Sequence, residues 1–132
     1  MIVGNEFRGN LHRGMSYEIS AGAVIASNLF VDHTNSEGYA LFINEAHDIL
    51  IYNNTFARNH IHISLVEGDR HRVATRKVDN GQMVTFTQNT ERITIKNNLV
   101  AGTGTGGNGS FLVSAHDWTR HRPARDMVAV QD

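Results

Sequence analysis

Apolar residues in this chain fall in short clusters that return at long intervals. Ile2-Val3-Gly4-Asn5-Glu6-Phe7, Ile25-Ala26-Ser27-Asn28-Leu29-Phe30, Ile51-Tyr52-Asn53-Asn54-Thr55-Phe56 and Ile95-Lys96-Asn97-Asn98-Leu99-Val100 share one order of types. Each reads aliphatic, two variable positions, Asn, one variable position, apolar. The asparagines at 5, 28, 54 and 98 are 23, 26 and 44 residues apart. Short β-rich runs separated by Asn, Gly and Ser turns, returning at that period with almost no helical spacing, predict strands and a solenoid. Each coil buries its apolar face only against its neighbours, so the repeat is the fold.

The longest interval contains an insertion. Phe42 precedes Ile51 by the same distance as Phe86 precedes Ile95, which leaves a surplus between Asn59 and Gly81. The charged stretch at 66–81, ending in Asn80-Gly81, reads as an inserted loop or hairpin. Phe42-Ile43-Asn44-Glu45-Ala46-His47-Asp48 also aligns with Phe111-Leu112-Val113-Ser114-Ala115-His116-Asp117, which starts a further coil near Gly109. The expected organisation is coils over 1–114 and an irregular tail or cap over 115–132.

Gly14-Met15-Ser16-Tyr17-Glu18-Ile19-Ser20 followed by Ile25 to Phe30 resembles the right-handed parallel β-helix repeat proteins, whose coils typically run Gly-Ile-x-x-x-x-Ser and then Ile-x-x-Asn-x-Phe. The resemblance covers about residues 1–114. It implies an all-β fold, a right-handed parallel β-helix of about four coils, and it implies no single activity. Polysaccharide lyases, glycoside hydrolases, uronan epimerases, phage tailspikes and noncatalytic surface proteins share this scaffold.

The repeated asparagines are expected at turns, where Asn accepts a left-handed backbone, and their amides are expected to stack into an internal ladder. Asn10, His33, Asn59 and Thr103 each follow a ladder asparagine by the same distance and should mark the next turn. Phe7, Phe30, Phe56 and Val100 form an apolar file that should face inward. Phe42, Phe86 and Phe111 form a second file whose orientation the residues leave open. Val84 and Phe86 alternate with Thr85 and Thr87, which favours Phe inward. Leu41 and Ile43 look like the buried set of the earlier coils, which turns Ser16, Glu18, Phe42 and Asn44 outward.

The densest set of reactive groups follows from that outward assignment. Glu18 is the candidate acid or base, with Glu45 and His47 as further catalytic candidates; His12, Arg13, Phe42 and Asn44 are candidate substrate-binding residues. A carboxylate beside His or Arg suits proton abstraction, and paired carboxylates suit glycosidic hydrolysis. The partner expected from this set is a polysaccharide or oligosaccharide. The competing reading is a noncatalytic structural or adhesion solenoid, or an inactive piece of a larger enzyme. In His60-Ile61-His62-Ile63 the alternation puts both histidines on an exposed face, but two imidazoles do not complete a metal site. No metal and no cofactor are expected. The run Gly104–Gly109 reads as a loop between coils, because a strand rather than a helix follows it.

The 132 residues include 12 Lys or Arg and 13 Asp or Glu, a formal charge of -1. Near-neutrality gives no electrostatic case for nucleic acid. No apolar run is long enough for a bilayer span, so no membrane partner is expected. The absence of cysteine removes disulfides and leaves the compartment open, extracellular or periplasmic if a parent protein carries a signal peptide. Ile2 to Phe7 is the later half of a repeat, from which a fragment of a longer β-helix, with possible end-to-end self-association, is expected.

Overall fold

The computed structural model describes residues 1–36, 38–68, 73–77, 80–87, 89–102, 111–117 and 128–131. The chain winds through three faces in turn. The first winding contains β1 (Ile2–Val3), β2 (Glu6–Arg8) and β3 (Arg13–Glu18), and the second β4 (Ala21–Ala26), β5 (Leu29–Val31) and β6 (Tyr39–Asn44). The third contains β7 (His47–Tyr52), β8 (Thr55–Ala57) and β9 (Ile61–Glu67). After a hairpin of β10 (Val73–Lys77) and β11 (Met83–Thr87), the fourth contains β12 (Glu91–Lys96), β13 (Leu99–Ala101) and β14 (Phe111–Asp117), and β15 (Val128–Gln131) begins a fifth.

Equivalent strands stack in parallel into three sheets. Sheet A runs β1-β4-β7-β12-β15, sheet B β13-β8-β5-β2 and sheet C β14-β9-β6-β3. The architecture is the expected all-β parallel helix of about four coils. Its core is a set of files: Ile25, Ile49, Ile51, Ile93 and Ile95 from sheet A, Phe30 and Phe56 from sheet B, and Leu41, Ile43, Ile63 and Leu65 from sheet C. Phe7 stacks on Phe30 at 4.7 Å and Phe30 on Phe56 at 5.0 Å, with rings within 9° of parallel. Burying each such side chain stabilises the stack by about 1.5–3 kcal/mol.

The ladder is hydrogen-bonded twice per step. Asn28 Oδ1 accepts from Asn5 N and Nδ2, Asn54 Oδ1 from Asn28 N and Nδ2, and Asn98 Oδ1 from Asn54 N and Nδ2, all at 2.9–3.1 Å. Each asparagine Nδ2 from the second coil onward also donates to a carbonyl of the preceding coil, that of Ile2, Ile25 or Ile51. The left-handed residue of this turn is the one before the asparagine: Gly4 (φ 72°), Ser27 (54°), Asn53 (54°) and Asn97 (53°). That corrects the expectation that the ladder residue itself adopts this backbone.

A second turn repeats the design one corner later. Gly9, Asp32, Arg58 and Gly102 take positive φ, and Asn10, His33 and Asn59 follow as rungs. His33 Nδ1 accepts from the Asn10 backbone N–H, its Nε2 donates to the Phe7 carbonyl, and its own N–H donates to Asn59 Oδ1. Thr103 lies outside the described residues, as do Gly104–Gly109.

Three expectations need correction. Phe42, Phe86 and Phe111 are not one file: Phe42 is in register with Ser16 and Ser64, Phe86 sits opposite Ala74 in the antiparallel hairpin, and Phe111 pairs with Ile61. The excursion leaves sheet C after Glu67 and rejoins sheet A at Glu91, so it extends beyond 66–81, and its own Val84–Phe86 alternation mimicked a coil strand. The segment after 114 is not wholly irregular, because β14 continues to Asp117 and β15 pairs with β12.

Candidate functional site

Sheet C positions the candidate residues through a break in its alternation. Ala40 and Leu41 are both fully buried, as are His62 and Ile63, so two consecutive residues face inward before alternation resumes. Gly14 occupies the equivalent place in β3, where a Cβ would collide with the Ala40 carbonyl oxygen and come within 2.7 Å of His33 Nε2. His62 is therefore in the core, against the expectation of an exposed histidine pair. Its ring meets Phe56 edge-on at 6.1 Å, Asn59 Nδ2 donates to its Nδ1 at 3.2 Å, and burial pushes its pKa down.

Beyond the break, Met15, Tyr17, Leu41 and Ile43 pack on the core while Ser16, Glu18, Phe42 and Asn44 point away from it. Glu18 and Asn44 are register partners, and Asn44 Nδ2 donates to Glu18 Oε2 at 3.4 Å. Arg13 joins them. Its Nη1 donates to Glu18 Oε1 at 2.9 Å, and its guanidinium carbon lies 3.6 Å from the centre of the Phe42 ring. Phe42 thus points outward yet is 3% exposed, with Tyr39 tilted beside it at 5.7 Å. The aromatic face proposed for stacking is occupied by a guanidinium. His12 is exposed in the turn leading into β3, and its carbonyl accepts from Tyr39 N–H.

Glu45 and His47 lie around the next corner, at the start of sheet A. Glu45 takes φ 49° and is fully buried; its Oε1 occupies the place a Cβ on Gly68 would need, with Asn44 Oδ1 beside it. Thr90 ties this corner together. Its Oγ1 accepts from Glu45 N–H at 2.8 Å and donates to the Val66 carbonyl, while its N–H donates to Glu67 Oε2 at 2.6 Å. Glu67 and Thr90 flank the hairpin, so this buried network clamps the neck of the insertion.

His47 is buried and its Nδ1 lies 2.7 Å from Asp48 Oδ2. Arg92, one coil on, donates to both Asp48 oxygens. Hydrogen bonds from Arg92 and then His47 hold the Asp48 carboxyl well below the usual carboxylate range, and the same contact raises the Arg92 guanidinium. Gly22, Asp48 and Arg92 are stacked left-handed residues of sheet A, so the repeated backbone turn sets the two charged side chains of neighbouring coils against each other. Thr90 and the Asp48–Arg92 pair carried no signal in the sequence pattern, because the insertion separates partners that touch.

The structure thus brings Arg13, Glu18, Phe42 and Asn44 together, with Phe42 and Asn44 buried and Arg13 and Glu18 half-buried, and places Glu45 and His47 around the next corner, where both are buried. Among the described residues no group of three or more His, Cys, Asp and Glu converges in a way that could hold a metal ion. No helix among the described residues is long and apolar enough to cross a membrane.

The profile of the right handed beta helix region matches residues 1–120. The chain belongs to the right-handed β-helix family. That membership agrees with three parallel sheets and a stacked asparagine turn, and it fixes the scaffold of this β-helix without fixing a substrate. No curated protein and no solved structure matches the chain.

Proposed function

We propose that this β-helix binds an extended polysaccharide along the outward face of sheet C, with Glu18 as the acid or base of a glycosidic reaction. The reading rests on one observation: Arg13, Glu18 and Asn44, from successive coils, meet through hydrogen bonds on an outward face. A carboxylate between a guanidinium and an amide is held in one orientation, and an adjacent cation can neutralise an acidic sugar while a proton is removed. A cation beside a single carboxylate suits elimination from a uronate better than hydrolysis, which needs a second carboxylate across the sugar. His12 extends the face at its exposed end. Glu45 and His47, both buried, act as positioning residues in this scheme rather than as groups that touch the glycan.

A second reading has its own support. With Phe42 covered by Arg13 and Glu45 fully buried, the same face suits a noncatalytic adhesion solenoid that binds glycan without turnover. A glycan panel assayed for binding and for product separates the two. The enzymatic reading expects turnover that Glu18→Gln abolishes while binding is kept. Turnover unchanged in Glu18→Gln removes Glu18 from the mechanism, binding without turnover selects the adhesion reading, and no binding to any glycan overturns both.

A further inference from the structure

A shallow, open groove runs across the first three coils at the corner between sheets A and B, on a different face from Arg13 and Glu18. One wall is the row of left-handed residues Gly4, Ser27 and Asn53; the other is the first residue of each sheet B strand, Glu6, Leu29 and Thr55. The floor is the asparagine ladder, whose amides are engaged with one another and with backbone carbonyls. The walls are not. Among the described residues the side chains of Ser27, Asn53 and Thr55 make no hydrogen bond, and Ser27 and Asn53 are exposed.

We propose that this groove is a second binding site, for a neutral, extended glycan lying parallel to the axis. Three features select that ligand. Ser27 and Asn53 place a hydroxyl and an amide on successive coils, with the Thr55 hydroxyl on the facing wall, at a strand spacing of about 4.8 Å, close to the advance of one sugar ring in an extended chain, whereas an extended peptide advances about 3.3 Å per residue. The only charged wall residue, Glu6, is paired with Arg8 at 2.6 Å, so the groove offers an ionic ligand no counter-charge. Leu29 on one wall, with the 62% exposed Leu99 two coils further along the same file beyond Thr55, gives apolar surface for the C–H faces of sugar rings. The hydrogen-bonded floor fixes the spacing of the backbone that carries these groups before the ligand arrives, which lowers the entropic cost of binding.

The left-handed backbone makes a clean test possible. Ser27 and Asn53 already adopt φ 54°, so Ser27→Gly and Asn53→Gly remove the polar groups at positions where glycine is unstrained. The 15N-labelled full chain is titrated with cellohexaose, a neutral β-1,4-linked hexasaccharide, and amide shifts are mapped. The expected result is perturbation at Ser27, Leu29, Asn53 and Thr55, with affinity at least about tenfold weaker in the double glycine variant, the loss expected for one or two hydrogen bonds. Perturbation confined to β3 and β6 overturns this site and leaves the sheet C reading standing. Equal affinity in the double variant, or no perturbation anywhere, also overturns it.

Discussion

Asn28 and Asn54, 26 residues apart in the chain, share two hydrogen bonds of 3.0 Å into one carbonyl oxygen, and Asn54 passes the same pair on to Asn98. Both are buried. Each rung therefore satisfies backbone donors of one coil with the side chain of the next.

Asn54→Ala should cost about 2–4 kcal/mol, because it takes the side-chain acceptor from the buried Asn28 N–H and the amide donor from the Ile25 carbonyl, and leaves Asn28 Nδ2 with the Ile2 carbonyl alone. Asn5→Ala, at the exposed end of the ladder, should cost clearly less. Urea denaturation of the two variants, compared at equal m-value, measures the difference. Equal losses would mean that the rungs act independently of burial.

Stability should fall in mild acid through His62. Burial lowers its folded-state pKa below the unfolded value of about 6.5. The neutral ring therefore favours the folded state fully above that value, and the contribution is lost as pH falls through it toward the folded pKa. Protonation also sets a ring N–H against the Asn59 Nδ2 donor. Denaturation midpoints from pH 7.5 to pH 5 should drop in the wild type and flatten in His62→Phe; a parallel drop in both would assign the effect elsewhere.

Gly14→Ala tests the double inward turn of sheet C. The added methyl group meets the Ala40 carbonyl oxygen and the buried His33 ring, neither free to move. A loss of about 1–3 kcal/mol is expected from overpacking. A variant as stable as the wild type, measured by thermal unfolding, would show that the two coils can separate locally.

The 132-residue chain should also associate end to end. In it β1, β2 and β3 are edge strands, and Val3 within β1 and Leu11 between β2 and β3 are exposed. Open parallel edges with apolar neighbours template further strands. Sedimentation velocity at rising concentration should reveal growing species, and a constant monomer would refute the expectation.

The period of the coils was legible because axial stacking demands the same residue type at each turn, and the four asparagines meet that demand. The inward file Phe7, Phe30 and Phe56 was legible for the same reason, whereas Val100, expected as its fourth member in the core, is exposed. The register of sheet C was not, because the hairpin strand Met83–Thr87 carries its own β alternation and imitates a coil. His62 was misplaced because alternation predicts outward where two successive residues turn in. The recurring small-then-aliphatic order of Gly14-Met15 and Ala40-Leu41 was the available signal. The outward direction of Glu18 and Asn44 could be read from Leu41 and Ile43, whereas the shielding of Phe42 depends on an arginine of another coil. The neck contacts of Thr90 join residues that no local pattern connects.

The hairpin raises the separation between successive rungs from 26 to 44 residues while Asn54 and Asn98 still touch. Lengthening a closed loop by less than a factor of two costs under about 0.6 kcal/mol, less than a single rung returns. Chain length at that corner is thus nearly neutral thermodynamically. An engineer could exchange the ribbon for a foreign segment, keep Glu67 and Thr90 as the hinge posts, and expect the windings on either side to close as before.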